Sequence, residues 1–171
     1  SPHTMSVLVG RPAPSFRAKA VKGETIIEDF SLDQYKGKKY VVLFFYPKDG
    51  TPGCTAEACA FRNAWQKYEK AGVAVVGIST DDVAAHAAFA QQHQLPFPLL
   101  ADTDAAIARA YGVDVTFRMA KRVSFLVGAD GKIVRVFPDV DPGVHAEEVL
   151  AAAVSDESRG GALVGGAHAQ P

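Results

Sequence analysis

Six consecutive apolar residues, Tyr40-Val41-Val42-Leu43-Phe44-Phe45, run straight into Tyr46-Pro47-Lys48-Asp49-Gly50-Thr51-Pro52-Gly53. No other junction in the chain limits the fold as strongly. An apolar run bounded by turn residues reads as a buried strand, and the Pro/Gly cluster reads as a tight turn. From Thr55 to Lys70 the chain is rich in Ala, Glu, Arg, Gln and Lys and has no Gly or Pro, which is helix chemistry. Both cysteines, Cys54 and Cys59, lie at the start of that segment. Cys54 is therefore expected in or just before the first helical turn. Free backbone N–H groups and the positive end of the helix dipole gather there. Such a place favours thiolate, the nucleophilic form of the thiol. The competing reading is an inert buried cysteine, a common core residue.

The remaining pattern alternates strands and helices. Phe16–Ala20 and Glu24–Glu28 read as a hairpin around Lys22-Gly23, and Ser31–Tyr35 as one capped turn ending at Gly37. The helix after Cys54 is expected to reach Lys70, with Gly72 as its stop, followed by a buried strand over Val73–Ser79. Asp81 or Asp82 caps a helix through Gln94. Pro98–Ala101 reads as a short strand and Thr103–Tyr111 as a helix closed by Gly112. Val123–Val127 and Ile133–Phe137 pair across Ala129-Asp130-Gly131. A last helix is expected from Val144 to Val154. This order predicts an α/β fold, a mixed central sheet with helices on both faces and an N-terminal hairpin.

The 171 residues suit one domain, expected over residues 5–155, with neither repeat nor linker. Ser1-Pro2-His3-Thr4 before Met5 looks like a cloning scar. The Gly/Ala-rich stretch over 156–171 reads as a flexible tail. A net charge of −1 gives no support to nucleic-acid binding, and no apolar run reaches membrane-spanning length. A cytoplasmic location and a monomer are the expectations. Two cysteines are too few for a secreted disulfide scaffold; a close pair in a reducing compartment points to catalysis or metal binding. None of the five histidines lies near them in sequence, so the four ligands of a structural zinc site are not in view. No metal or cofactor is expected. His86, His93 and His145 read as surface or structural residues.

Pro47-x3-Thr51-x2-Cys54 resembles the active-site pattern of the peroxiredoxins. The longer string Tyr-Pro-Lys-Asp-x-Thr-Pro-Gly-Cys-Thr-x-Glu-x-Cys resembles the bacterioferritin-comigratory subgroup, atypical two-cysteine thiol peroxidases that usually carry both redox cysteines on one helix. The likeness runs from Val7-Leu8-Val9-Gly10 to Val149-Leu150. It includes Arg122-Val123-Ser124-Phe125-Leu126-Val127 and Asp130-Gly131-Lys132-Ile133, and leaves out the last fifteen or so residues. It implies a thioredoxin-like fold, peroxide as substrate, and thioredoxin or a similar dithiol as reductant.

Under that resemblance Cys54 is the attacking thiol. Thr51 is placed to bond the sulfur or a peroxide oxygen, or to serve as an N-cap, and both roles are compatible. Pro47 shields the sulfur, or simply ends the strand. The Gly53 and Cys54 amides face the peroxide. The resemblance brings Arg122 to the sulfur as a fixed, always charged fork of donors; Lys121 and Arg118 compete for that role, as does a solvated position. Glu57 raises a nearby thiol's pKa if unpaired, or pairs with Arg122, or caps backbone amides. Tyr46 lines the pocket or belongs to the core. Cys59 is the implied resolving cysteine, or a small core residue. Five residues of intact helix separate two Cα atoms by about 8–9 Å, beyond the ~7 Å reach of a disulfide.

Three functions remain in view. The first is a peroxidase acting on hydrogen peroxide and organic hydroperoxides through a Cys54 sulfenic acid that Cys59 resolves. The second is a thiol–disulfide oxidoreductase, which usually carries Cys-x-x-Cys, a motif absent here. The third is a redox sensor or chaperone switched by the disulfide.

Overall fold

The computed structural model describes residues 5–160; the expected scar and most of the expected tail lie outside them. Among the described residues the chain forms strands β1 (Arg17–Lys22), β2 (Thr25–Ser31), β3 (Tyr40–Phe45), β4 (Val73–Ser79), β5 (Leu99–Ala101), β6 (Val115–Thr116), β7 (Met119–Ala120), β8 (Val123–Val127) and β9 (Ile133–Phe137). The helices are α1 (Pro52–Asn63), α2 (Trp65–Ala71), α3 (Val83–His93), α4 (Ala106–Ala110) and α5 (His145–Ser158). Seven strands make one mixed sheet in the order β2-β1-β5-β4-β3-β8-β9. β3 runs parallel to β4 and antiparallel to β8. No helix among the described residues is long and apolar enough to cross a membrane.

All six residues of β3 are buried because the sheet is covered on both faces. Side chains alternate along a strand, and here the alternation divides the core. Tyr40, Val42, Phe44 and Tyr46 point into a layer with Phe61 and Tyr68 of α1 and α2, Phe89 of α3 and Val149 of α5. Val41, Leu43 and Phe45 point to the opposite layer, with Ile107 of α4 and Tyr111 just beyond it. The α/β class, the mixed sheet, its helix-covered faces and the N-terminal hairpin of the sequence reading are all present. β4, β8 and β9 carry their expected bounds.

The hairpin strands shift and lengthen, to Arg17–Lys22 and Thr25–Ser31, and other elements depart further from expectation. The helix after Cys54 breaks at Ala64, whose backbone leaves helical values (φ −90°, ψ 3°). Asn63, a poor helix former, precedes the break, and packing requires it. Phe61 stacks on Phe44 at 4.7 Å and Trp65 tilts against Phe97 at 6.0 Å, and one straight helix does not serve both. The helix expected from Thr103 begins only at Ala106, because the Asp102 carboxylate accepts the Ile107 and Ala108 amides and holds the preceding residues in a turn. The small β6–β7 hairpin was not expected. Its turn uses Phe117 and Arg118, both at positive φ, without the Gly, Asn or Asp that advertises such a turn. The last helix continues past Val154 to Ser158. Tyr40 donates to Asp156 at 2.5 Å, tying to the core a stretch that composition assigned to the tail.

Gly77 in the middle of β4 is a point of close approach. A Cβ there would lie 2.8 Å from Leu99 Cδ2 and 2.8 Å from Phe44 Cζ. Phe44 is the ring on which α1 rests. Gly77→Ala is expected to destabilise the fold by about 1–3 kcal/mol, the usual cost of overpacking a filled core. Urea unfolding checks this: the midpoint should fall at constant slope, and an unchanged midpoint would show that the layer yields.

Candidate active site

Thr51 occupies the N-cap position of α1, with Pro52 at the first helical position, where its missing N–H costs nothing. Gly53 and Cys54 follow, so the cysteine stands in the first turn, where backbone amides lack intrahelical acceptors. The Thr51 carbonyl accepts the Thr55 amide at 2.9 Å. Its side chain makes no capping bond; the hydroxyl donates instead to the Lys48 carbonyl at 2.9 Å. A hydroxyl whose proton is committed in this way keeps its lone pairs for an incoming donor.

Cys54 is a free thiol, 1% exposed, on the helix side of the sheet. Arg122, in the link between β7 and β8, reaches it: Nη2 donates to Sγ at 3.3 Å. The same guanidinium donates through Nη1 to Glu57 Oε1 at 2.8 Å. β8 is antiparallel to β3 and pairs Val123 with Phe45. That register brings Arg122 to the end of the sheet where β3 feeds the Cys54 turn. Lys121 and Arg118, the alternatives weighed from sequence, do not fill this place. Both are exposed, and Arg118 sits at the tip of the β6–β7 turn with its carbonyl accepting the Thr80 hydroxyl.

Glu57 resolves to the pairing alternative. It is fully buried, and burial raises its carboxyl to about 7 against the opposing pull of Arg122. Burial alone would lower the Arg122 pKa, but its bonds to Cys54 and Glu57 leave it raised. Gly53 has a role beyond its amide. A Cβ there would meet Arg122 Nη2 at 3.0 Å, so the glycine leaves room for the guanidinium. Pro47 is half-buried in the bend after β3. A shallow cleft lined by Lys121, Arg122, Pro138, Asp139, Val140 and Asp141 opens beside Arg122.

Tyr46 falls on the core side of its two readings. Its ring stacks on Phe44 at 5.4 Å, and its hydroxyl donates to Asp49 at 2.7 Å. It thereby joins a network that the sequence did not disclose. Asp49 Oδ2 lies 2.7 Å from His86 Nδ1, and His86 Nε2 donates to the Leu100 carbonyl at 2.8 Å. The Asp49 amide donates to Asp81, which also accepts from Ser79 at 2.6 Å. Asp49, Asp81 and His86 bring potential metal-ligating atoms within 4.8 Å of one another. Those atoms already serve hydrogen bonds that brace the loop leading to Cys54. No spacing rule links residues 49, 81 and 86, so only the fold could join them.

Cys59 is a second free thiol, half-buried, on the same unbroken helix as Cys54. The helical separation worked out from the sequence therefore applies, and the two sulfurs cannot join while α1 is intact.

Known proteins resemble this chain in sequence and fold. The AhpC/TSA family profile matches residues 9–136. The chain is 46% identical over 153 residues to a putative peroxiredoxin bcp of Coxiella burnetii, an alignment covering 85% of this chain and 98% of that one. It is 35% identical over 153 residues to peroxiredoxin Bcp of Bacillus subtilis, covering 85% and 94%. Among solved structures, peroxidoxin BcpB of Mycobacterium tuberculosis superposes with a TM-score of 0.77 at 32% identity, over 86% of this chain and 96% of that one. A helix-start thiol held by a partly buried arginine, on a thioredoxin-like sheet, thus comes with relatives along most of its length, and the chain belongs to the AhpC/TSA family of peroxiredoxins, in its Bcp branch.

Proposed function

We propose that the protein is a monomeric, cytoplasmic peroxidase that reduces hydrogen peroxide and organic hydroperoxides through Cys54, resolves the product through Cys59, and is recycled by thioredoxin or a similar dithiol protein. Family membership gives thiol peroxidase chemistry. The observation that carries the residue assignment is the 3.3 Å contact between Arg122 Nη2 and the buried Cys54 sulfur.

The Cys54 thiolate attacks one oxygen of the peroxide. An S–O bond forms, the O–O bond breaks, and the leaving oxygen departs as hydroxide or alkoxide, which takes a proton to become water or alcohol. Charge moves from sulfur to the leaving oxygen. Donors fixed around both positions lower the barrier without reorganising. The Arg122 fork and the first-turn amides of Gly53 and Cys54 supply those donors. Thr51, with its own proton on Lys48, accepts the peroxide hydrogen and orients the nucleophilic attack. Cys54 then carries a sulfenic acid. The Cys59 thiolate attacks that sulfur and expels hydroxide, which leaves as water, and a disulfide forms. An external dithiol restores both thiols by exchange.

Cys54→Ser is expected to remove turnover without unfolding the protein. Peroxide consumption with a dithiol donor tests the reading, and near wild-type activity would reject it. Arg122→Ala should slow the first oxidation by about 10²–10³-fold, the usual loss on removing one such donor. Gly53→Ala should act in the same direction and by less, since its methyl displaces the guanidinium rather than deleting it. Stopped-flow oxidation of Cys54 measures both, and an unchanged rate in Arg122→Ala would pass the role to another cation. Cys59→Ser should oxidise at the wild-type rate, stop at sulfenic acid, and proceed to sulfinic acid in excess peroxide. Oxidised wild type should show faster amide exchange over residues 54–59 while β3 and β4 stay protected. An oxidised wild type without an intrachain disulfide by mass spectrometry would leave a one-cysteine mechanism.

A further inference from the structure

Three buried side-chain atoms among the described residues have no hydrogen-bond partner: Glu57 Oε2, Ser124 Oγ and His145 Nε2. They belong to three elements but to one neighbourhood. Ser124 follows Arg122 by two residues. It shares the sheet face of Leu126, whose side chain lies in the layer beneath α1 and α5. Its cross-strand neighbours are Phe44 and Phe137. His145 packs edge-on against Phe137 at 5.3 Å and against Phe61 at 5.9 Å. Glu57 lies one turn before Phe61 on the same helix and holds Arg122. The three orphan atoms therefore belong to elements that meet around Phe61 and Phe137, on the side of the sheet where Arg122 holds Glu57.

Hydrogen-bond polarity orders them. The Glu148 carboxylate can only accept, so His145 Nδ1, 3.1 Å from it, donates. Burial lowers the pKa of His145 against the opposing pull of Glu148, and the positive charge of Arg122 adds a smaller push in the same direction as burial, which favours the neutral ring. Its Nε2 is then a lone pair facing inward. A carboxylate at Glu57 would put a second acceptor into the same neighbourhood, whereas a carboxylic acid supplies the missing donor. The Ser124 hydroxyl, both donor and acceptor, reaches neither group directly, so a link among the three needs a bridging internal water.

We propose that Glu57, Ser124 and His145 form a proton store behind Arg122. When Cys54 ionises, its proton passes to Glu57, and it returns to neutralise the hydroxide or alkoxide released by attack. Arg122 carries one positive charge and touches two possible anions. In a buried site one anion at a time is the low-energy state, so a negative charge on one group favours a proton on the other. The exchange is Cys54–SH plus Glu57–COO⁻ to Cys54–S⁻ plus Glu57–COOH; the sulfur then donates its electron pair to oxygen, and the leaving oxyanion takes the stored proton. Burial raises the Glu57 carboxyl to about 7, so it can hold a proton near neutral pH. The other ionisable groups beside these three are Cys54 on α1 and Arg122 before β8, and Glu148 on α5, which is exposed and touches His145 through Nδ1. β3 presents only aromatic rings there.

This proposal rests on the peroxidase reading, and its test needs no peroxide, so either can fail alone. In the reduced full-length Cys59→Ser protein, Cys54 is alkylated with iodoacetamide in weakly buffered solution with a pH indicator. The pH is chosen by ultraviolet absorbance so that Cys54 is already thiolate. Alkylation removes the sulfur anion, so a proton held on Glu57 must be released: about one per cysteine in this protein and near zero in its Glu57→Gln variant. His145→Leu should shift the release to lower pH. Difference infrared spectroscopy on the unsubstituted pocket gives a second reading, loss of a protonated-carboxyl band on alkylation. Near-zero release with no band change, release unaltered by Glu57→Gln, or a pH curve unmoved by His145→Leu would each overturn the three-residue store.

Discussion

One guanidinium bridges the two groups on which the site depends. Arg122 holds Cys54 at 3.3 Å and Glu57 at 2.8 Å, with the carboxylate fully buried and the arginine side chain 19% exposed. A lysine could not replace it, because a compact ammonium lacks the rigid fork that addresses two acceptors at once. A carboxylate buried with no partner would be costly, and one paired through a single oxygen still leaves the other without a bond. The pairing thus fixes Arg122 at the expense of a half-satisfied acid. That imperfection is poor economy for stability alone, and it fits a group that changes protonation during turnover.

Precision at the sulfur also depends on residues that never approach it. The turn from β3 into α1 contains Pro47, Gly50 and Pro52 and has few backbone bonds of its own. Asp49 compensates by receiving Tyr46 and His86 and by donating its amide to Asp81. Each ring nitrogen of His86 faces an acceptor, the Asp49 carboxylate on one side and the Leu100 carbonyl on the other. This ties the loop to β5 and α3 through a side chain with no solvent exposure. Beneath it, Gly77 lets Phe44 settle low in the layer, so that Phe61 can stack and set the height of α1 above the sheet.

The strong local signals were legible in the residues. The β3 run, the Pro/Gly turn and the Asp82 cap marked their elements, and the flanking pattern singled out Cys54. Tertiary demands left no such mark. In Ala60–Trp65 only Asn63 hints at a break, and Phe117-Arg118 conceals a tight turn behind residues that avoid positive φ. For Glu57 the sequence left three roles open, since a helix position does not reveal which strand lies across from it. Arg122 came from resemblance, with two nearby cations equally plausible on local grounds; the β3–β8 register separates them. His86 and Ser124 acquire meaning only when strands far apart in sequence are brought side by side.

Under the proposed mechanism, the two cysteines make opposed demands on α1. An intact first turn gives Cys54 its amides and its arginine, yet it also keeps Cys59 out of reach. The packing of α1 eases the conflict. Cys54, Glu57, Ala58 and Phe61 are its buried residues, and the large ring sits last. Unwinding residues 52–59 exposes the small Ala58 side chain, worth about 0.8 kcal/mol per methyl-sized group, while Phe61 stays wedged against Phe44, Tyr68 and Phe97. Oxidation also weakens the electrostatic clamp, because a neutral sulfenic acid attracts Arg122 less than a thiolate does. Glu57 is then free to take the whole guanidinium as a carboxylate or to leave with the unwinding turn. On this argument the attacking state fastens the helix start through the charge on sulfur, and the chemistry that consumes that charge unfastens it, with Phe61 holding the rest of α1 in place.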